Sequence, residues 1–488
     1  VPIRPGELYA VSALELEQSA APGGPSPLRS FARRRPLLTA AVGCVLSFTV
    51  FWIVQRLAHV TMIDLMVYRA EGWTARNGED LYDMVATSAN LPNTYPPFAA
   101  LLFTPLTLVG VPEMRTLATL GNLLLLVAVV HLGLRLAGRP KRMPPLAAAL
   151  GVAALLVWCE PVWTTLRYGQ INLLLAVLVL WDLTRRDANR WAGVGIGLAA
   201  GIKLTPALFA VLLALAGLVR AWQRLRAGAG PRDAWNPWLR QAAVACLTFL
   251  GTVLLSALVL PHDSRRFWTE IIFAADRVGE VEITANQSLR GALARLLHTH
   301  DPGLWWLAAA AVVAVFGLAV AVGALLRGRR AWAAVACAVT ALLVSPISWS
   351  HHWVWGVPML ILLGSEAMSR GGFGSQTGKR WWAGTLAIGL LFCSFALWFV
   401  PHRYHHHEEL HQNGGQMLLS GIYPIAGLVF LALTAVLVRR DRVRGGEART
   451  GTGRDAAVSG GVQDAATPDE GQGAATQGDG QGAAAQGR

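Results

Sequence analysis

Long apolar runs, parted by short basic stretches, set the pattern of this chain. The first lies at residues 37–58. Ten more follow near 115–137, 144–163, 170–184, 191–219, 240–260, 303–326, 331–347, 351–368, 382–400 and 418–438. About 20 helical residues cross the ~30 Å hydrocarbon core of a bilayer, so the pattern predicts an all-α polytopic membrane protein with about 11 to 13 transmembrane helices between residues 37 and 440. Residues 1–36 are polar and Pro/Gly-rich, and are expected to form a disordered arm ending in Arg33-Arg34-Arg35. Residues 441–488 are Gly/Ala/Gln-rich and are expected to form a disordered tail. The first apolar run is already span-length, so no cleavable signal peptide is expected.

The basic loops set the expected topology. Loops 138–143, 185–190, 220–239, 327–330 and 370–380 carry Lys and Arg and belong inside, with both termini cytoplasmic. That alternation requires 191–219 to cross twice, breaking near Lys203-Leu204-Thr205-Pro206, and makes 97–111 re-entrant or interfacial. A second arrangement lets 97–111 cross and keeps 191–219 as one helix, but it puts two basic loops outside. Either way the polar connections 61–95 and 261–302, the turn before His351 and the loop 401–417 fall on the extracytoplasmic face of a multi-pass protein of the cell membrane.

Composition sharpens this picture. Of the 488 residues 54% are hydrophobic and only 15% charged, against about 25% charged in soluble domains. Nineteen Trp residues suit interfacial belts. The net charge of +13 would suit nucleic acid, but its clusters flank apolar runs, so no nucleic-acid partner is expected. Five cysteines (Cys44, Cys159, Cys246, Cys337, Cys393) lie inside apolar segments with no paired spacing and read as small core residues.

Ionisable groups in or beside spans are costly and therefore informative. Asp64 follows the first span directly, as a solvated helix cap or a functional carboxylate. Glu71, Asp80 and Asp83 share its loop. Thr94-Tyr95-Pro96-Pro97-Phe98 stiffens the entry to the next segment. Gln170 and Asn172 place amides at the start of a span, where they bind hydroxyls or cap the helix. Lys203 sits between Ile202 and Leu204 with Pro206 close behind, as an anion site in a cavity or a snorkelling side chain. Arg290, beside Asn286 and Gln287, suits phosphate or sugar. Ser345-Pro346-Ile347-Ser348-Trp349-Ser350-His351-His352 joins a proline break to two histidines that suit a phosphate or hydroxyl. No acidic or thiol partner stands at ligand spacing from them, so no metal is expected there. His402, His405, His406, His407 and His411 read as a solvated loop or adventitious metal affinity.

Taken in order, Asp64 after the first span, Tyr-Pro-Pro-Phe, Gly-Gln-Ile-Asn, Gly-Ile-Lys-Leu-Thr-Pro, Asn-Gln-Ser-Leu-Arg-Gly and Ser-Pro-Ile-Ser-Trp-Ser-His-His carry a resemblance. From about 40 to 440 the chain resembles glycosyltransferase family 87, the polyprenyl-phosphate-mannose-dependent α-mannosyltransferases of the actinobacterial envelope. The resemblance implies a GT-C fold whose extracytoplasmic loops form the active site. It also implies a polyprenyl-phosphate-mannose donor, a glycolipid or glycan acceptor, and Asp64 as base. Lys203, Arg290, His351 and His352 are then expected on the donor phosphate. Tyr95, Gln170, Asn172, Asn286, Gln287 and Trp349 are expected around the sugar or acceptor. No cofactor is expected, and divalent-cation dependence stays open. The chain has no Asp-x-Asp triplet, the metal site of nucleotide-sugar enzymes, which favours a lipid donor. A transporter or flippase for lipid-linked saccharides, a non-catalytic scaffold, and transfer of another sugar are the alternatives.

Overall fold

In the computed structural model of the chain, residues 34–141, 143–403 and 405–459 are described. Of the expected arm and tail, 1–33 and 460–488 lie outside them. The chain forms a compact unit through Val438, and residues from Arg439 form a second unit, helical as far as Ser459.

The helices in order are α1 (Pro36–Leu57), α2 (Ile63–Asn77), α3 (Pro97–Phe103), α4 (Val111–Leu136), α5 (Pro145–Leu156), α6 (Glu160–Tyr168), α7 (Asn172–Leu183), α8 (Val194–Ile202) and α9 (Ala207–Arg226). After these come α10 (Pro237–Val259), α11 (Pro261–Thr269), α12 (Leu289–Leu296), α13 (Gly303–Leu326), α14 (Arg330–Val344), α15 (Gly356–Ser369), α16 (Gln376–Cys393), α17 (Gly414–Ser420) and α18 (Ile422–Ser459). The described sheet is a hairpin of two residues per strand, Val85 opposite Pro92 and Ala86 opposite Leu91. The protein is thus an all-α polytopic membrane protein.

Seven described helices are long and apolar enough to span a bilayer, or eight if α5 and α6, bent by 83°, count as one. The expected count of about 11 to 13 is not met by full-length helices. The runs at 170–184, 331–347 and 351–368 yield helices of only 12, 15 and 14 residues. Each is broken where a polar or proline-containing segment enters the end of the bundle that holds Asp64. Residues 97–108 form a short bent helix, too short to cross, as the first topology requires. The outer faces of the spans are apolar: Val45, Leu46 and Leu57 on α1 and Leu258 on α10 are exposed. Such surface is stable only against lipid or another apolar partner.

Local sequence explains how α8 is seated. Its start is capped by the buried Asp182 of α7, whose Oδ2 accepts from Ile196 N at 2.8 Å, a negative charge at the positive end of a helix. Gly193, Gly197 and Gly201 recur every fourth residue, and each brings its backbone against α10. A Cβ at Gly197 would lie 2.5 Å from the Ala245 carbonyl oxygen, and one at Gly201 would collide with Thr252. Small residues at this spacing let helices approach closely in a membrane. Along α8 the contacts climb α10 from Gln241 to Thr252, whereas on α9 Gly217 packs back at Leu239. The chain therefore reverses between α8 and α9, and Lys203 stands at the turn. The break foreseen near Lys203 is real, but the leg before it is only nine residues long.

The polar connections gather at one end of the bundle. Leu81 N donates to Asp263 at 2.9 Å, and Arg277 donates to the Tyr82 carbonyl at 2.8 Å. Gln287 N donates to the Ser348 carbonyl at 2.7 Å, and Thr284 N donates to Glu409 at 3.3 Å. Cys159 and Cys393, far apart in sequence, bring their sulfurs to 3.1 Å, a pairing that no spacing revealed.

Replacing Gly197 by Val should force α8 from α10, at about 1–3 kcal/mol as for other overpacked cores. Thermal unfolding in detergent should show a clearly lowered midpoint; an unchanged midpoint would mean that the helices are not held by this close approach.

Candidate active site

Asp64 enters the site because α2 starts immediately before it, at a left-handed Met62. Its Oδ2 accepts a hydrogen bond from Gln170 Nε2 at 2.7 Å. Gln170 is fixed in turn, since its Oε1 accepts from the hydroxyls of Tyr68 at 2.7 Å and Tyr95 at 3.4 Å, which stand 2.9 Å apart. With its carbonyl oxygen so occupied, the amide must present N–H to the carboxylate. Burial pushes the Asp64 carboxyl up to about 6, against the pull of the Gln170 hydrogen bond and the Lys203 charge.

Glu71 lies on the same face of α2, seven residues on. It is fully buried, and neither carboxyl oxygen has a hydrogen-bond partner. Burial first, and the neighbouring Asp64 second, raise it well above the ordinary range. Asp80, by contrast, is tied to Arg266 at 2.8 Å and His262 at 3.0 Å. Its partial burial would raise it, but hydrogen bonds from Tyr82 N, Arg266 and His262 bring it below the usual carboxylate value.

Lys203 supplies the cation. Its ammonium lies 5.3 Å from the centre of the Tyr95 ring and 2.9 Å from His352 Nε2. Burial lowers it to about 8 and the Asp64 carboxylate holds it up, so it stays mostly charged at neutral pH. His352 is kept neutral by burial and by Lys203. Its Nδ1 accepts from Trp349 N at 3.1 Å, while the ammonium faces its Nε2. A neutral imidazole has one lone pair for these two donors. An anionic oxygen beside Lys203 would relieve that competition, and this is the arrangement's strongest chemical statement. His351 packs edge-on against Tyr168 and His352, with its Nε2 buried and unpartnered. Its carbonyl accepts from Thr165 at 3.0 Å and Asn172 at 3.1 Å.

Beyond Lys203 and His352 a cavity opens, walled by Leu175, Pro206, Phe209, Ala338, Leu342 and Trp355. Its lining joins these apolar side chains to Lys203, His352, Asn172, Thr205, Ser345 and Ser348, a mixture that suits an amphiphile with an anionic head.

The structure therefore brings Asp64, Tyr95, Gln170, Asn172, Lys203, His351, His352 and Trp349 together. It gives three expected binding residues other work. Arg290 is paired with Asp301 at 3.1 Å and stacked on Trp306. Asn286 donates to the Val281 carbonyl and accepts from Ser288 N and Ser348 N. Gln287 donates to the Thr284 and Ser420 carbonyls and accepts from Tyr423 N. With these amides saturated by the protein, they hold the segment 345–352 in place.

Sequence reasoning missed Tyr68, Glu160 and Arg295. Glu160 is buried and accepts from Thr164, Ser350, Trp398 and Tyr423 at 2.8–3.2 Å, tying α6 to the histidine segment and to α18. Arg295 is buried and donates to the carbonyls of Glu282, Ile283, Asn286 and Ser420. A charge inside an apolar run was the available signal for Glu160. Tyr68 stands one helical turn after Asp64.

Comparison with known proteins agrees. Residues 93–346 match the model of glycosyltransferase family 87. A polyprenol-phosphate-mannose-dependent alpha-(1-2)-phosphatidylinositol pentamannoside mannosyltransferase of Mycobacterium tuberculosis is 36% identical over 67% of this chain and 71% of its own. A polyprenol-phosphate-mannose-dependent alpha-(1-2)-phosphatidylinositol mannoside mannosyltransferase of Mycolicibacterium smegmatis is 31% identical over 84% of this chain and 91% of its own. No solved structure gives a significant match.

Replacing Gln170 by Ala removes the hydrogen bond that lowers Asp64, so its titration should move upward from about 6. Infrared difference spectra of the carboxyl band across pH would show this; a midpoint unmoved or lowered would exclude the Gln170 bond as the cause.

Proposed function

Because the chain belongs to glycosyltransferase family 87, we propose that it transfers mannose from polyprenyl-phosphate-mannose to a hydroxyl of a phosphatidylinositol-mannoside glycolipid, forming an α-1,2 linkage with inversion on the extracytoplasmic face of the cell membrane. The chain is a multi-pass membrane hexosyltransferase, and mannosyl transfer from a polyprenyl-phosphate donor is the activity its relatives support. The observation that carries the finer reading is Lys203, which feels the charge of the Asp64 carboxylate and meets His352 at 2.9 Å on the wall of a largely apolar cavity.

In this reading the polyprenyl chain lies in the apolar cavity and its phosphate meets Lys203 and the His352 imidazole. The acceptor oxygen attacks the anomeric carbon from the face opposite the phosphate. As that C–O bond forms, the bond to the phosphate oxygen breaks, and the phosphate leaves with the electron pair. The fixed ammonium stabilises the charge gathering there, already desolvated and aimed. Asp64, ionised and held by Gln170, takes the acceptor proton. In-line displacement on a β-linked mannosyl phosphate yields the α-mannoside. The base acts as the carboxylate, so turnover should fall as pH drops through about 6.

Membranes supplied with radiolabelled polyprenyl-phosphate-mannose and phosphatidylinositol mannosides test this. Asp64→Asn should lower transfer by about 10²–10⁴ with the protein still inserted and its unfolding temperature kept. Turnover near wild type in that variant would remove Asp64 from the role. Lys203→Ala should lower transfer too and, if the ammonium grips the donor head group, raise the donor KM. Label failing to reach any glycolipid with folded wild type would point to another sugar donor or to a transporter.

A further inference from the structure

We infer that Glu282, His300 and His407 form a binding site for a divalent transition metal of the zinc class, which staples the loop 401–413 to the connection between α11 and α13. The residues come from three separate stretches of chain. Glu282 Oε1 stands 2.8 Å from His300 Nδ1 and 2.7 Å from His407 Nδ1, and the two rings meet edge to face at 4.5 Å. One ligand atom from each residue lies within 4.8 Å of both others. A metal held about 2.0–2.2 Å from each donor in tetrahedral geometry sets the donors about 3.4 Å apart, so the Glu282 oxygen must draw back from each imidazole nitrogen by a fraction of an ångström.

The donor set selects the metal. Two imidazole nitrogens and one carboxylate oxygen suit zinc, nickel or copper, and supply too few oxygens for calcium or magnesium. The carboxylate is fixed in place: Glu282 is buried, and its backbone carbonyl accepts from the buried Arg295. The imidazoles are partly exposed, which gives an ion its entry and leaves room for water as a further ligand. Without metal both imidazoles donate their Nδ1 proton to one carboxylate oxygen. Binding an ion requires each ring to present its Nδ1 lone pair, the proton leaving that nitrogen for Nε2 or for water. The same connection carries Asn286 and Gln287, which hold Ser348 and the histidine segment. Metal binding therefore braces a strut of the active site without entering it.

The test uses the full chain, purified in detergent without a polyhistidine tag, titrated with Zn²⁺ by calorimetry after chelator treatment. One tight equivalent is expected, weakened by at least ~10-fold in both His300→Ala and Glu282→Gln, and retained in a His405→Ala/His406→Ala double variant. Zn²⁺ should also raise the unfolding temperature of wild type and shield His300 from diethyl pyrocarbonate, a readout that needs no variant. Absence of binding, an unshielded His300, or affinity that survives His300→Ala but falls in the double variant would overturn the site, the last by assigning the ion to the histidine-rich loop alone.

Discussion

A buried ammonium at the end of an apolar helix is the constraint around which this structure is arranged. Lys203 has no place in the bundle unless a negative group compensates it and the chain breaks to let it face a cavity. The break is made by sequence-local means, the compensating charge by a distant element. The glycine stripe of α8 presses its backbone onto α10, the cap from Asp182 fixes where the helix starts, and Pro206 follows the reversal. Asp64, from an element well over a hundred residues earlier, provides the compensating charge. Each group also tunes the other. Asp64 keeps Lys203 charged and Lys203 keeps Asp64 ionisable, so the loss of either alters the chemistry of both.

Around this pair stands a scaffold of saturated polar groups that touch no reacting position in the proposed reading. Glu160 gathers four donors under the histidine segment. Arg295 gathers four carbonyls beneath the connection leading to it, and Asn286 and Gln287 bridge the two. Such buried groups are costly when half-satisfied and rigidifying when complete. Their completeness explains how loops, rather than spans, hold a catalytic constellation still.

The membrane-spanning class was legible because a 20-residue apolar run has few other readings, as at 303–326 and 37–58. Run length could not reveal where helices stop short. The 12 residues of α7 and the nine of α8 end at polar or glycine-rich positions whose effect depends on packing partners elsewhere in the chain. Asp64, Lys203 and His352 were legible as charges or imidazoles beside apolar runs. Arg290, Asn286 and Gln287 looked equally functional, because sequence shows a polar group but not whether another part of the protein already satisfies it. Glu160 escaped notice for the same reason: its four donors come from residues up to 263 positions away.

The assignment of the base turns on a difference that only the folded surroundings create. Asp64 and Glu71 share one face of α2, about 10 Å apart along its axis, and in sequence either would serve. Burial raises both. Asp64 is relieved by the Gln170 amide and by Lys203, whereas Glu71 has neither and feels Asp64 as a like charge. The first proton therefore leaves Asp64, and its carboxylate then makes ionisation of Glu71 harder still. Two similar carboxyls are driven to opposite states, which is how paired acids acquire distinct roles. A neutral Glu71 also leaves Asp64 as the ionised partner of Lys203. In the proposed reading, the charge that steadies the cation is then the same charge that accepts the proton. On the mechanism proposed above, protonation of Asp64 weakens the hold on Lys203 just as the departing phosphate brings new negative charge to it.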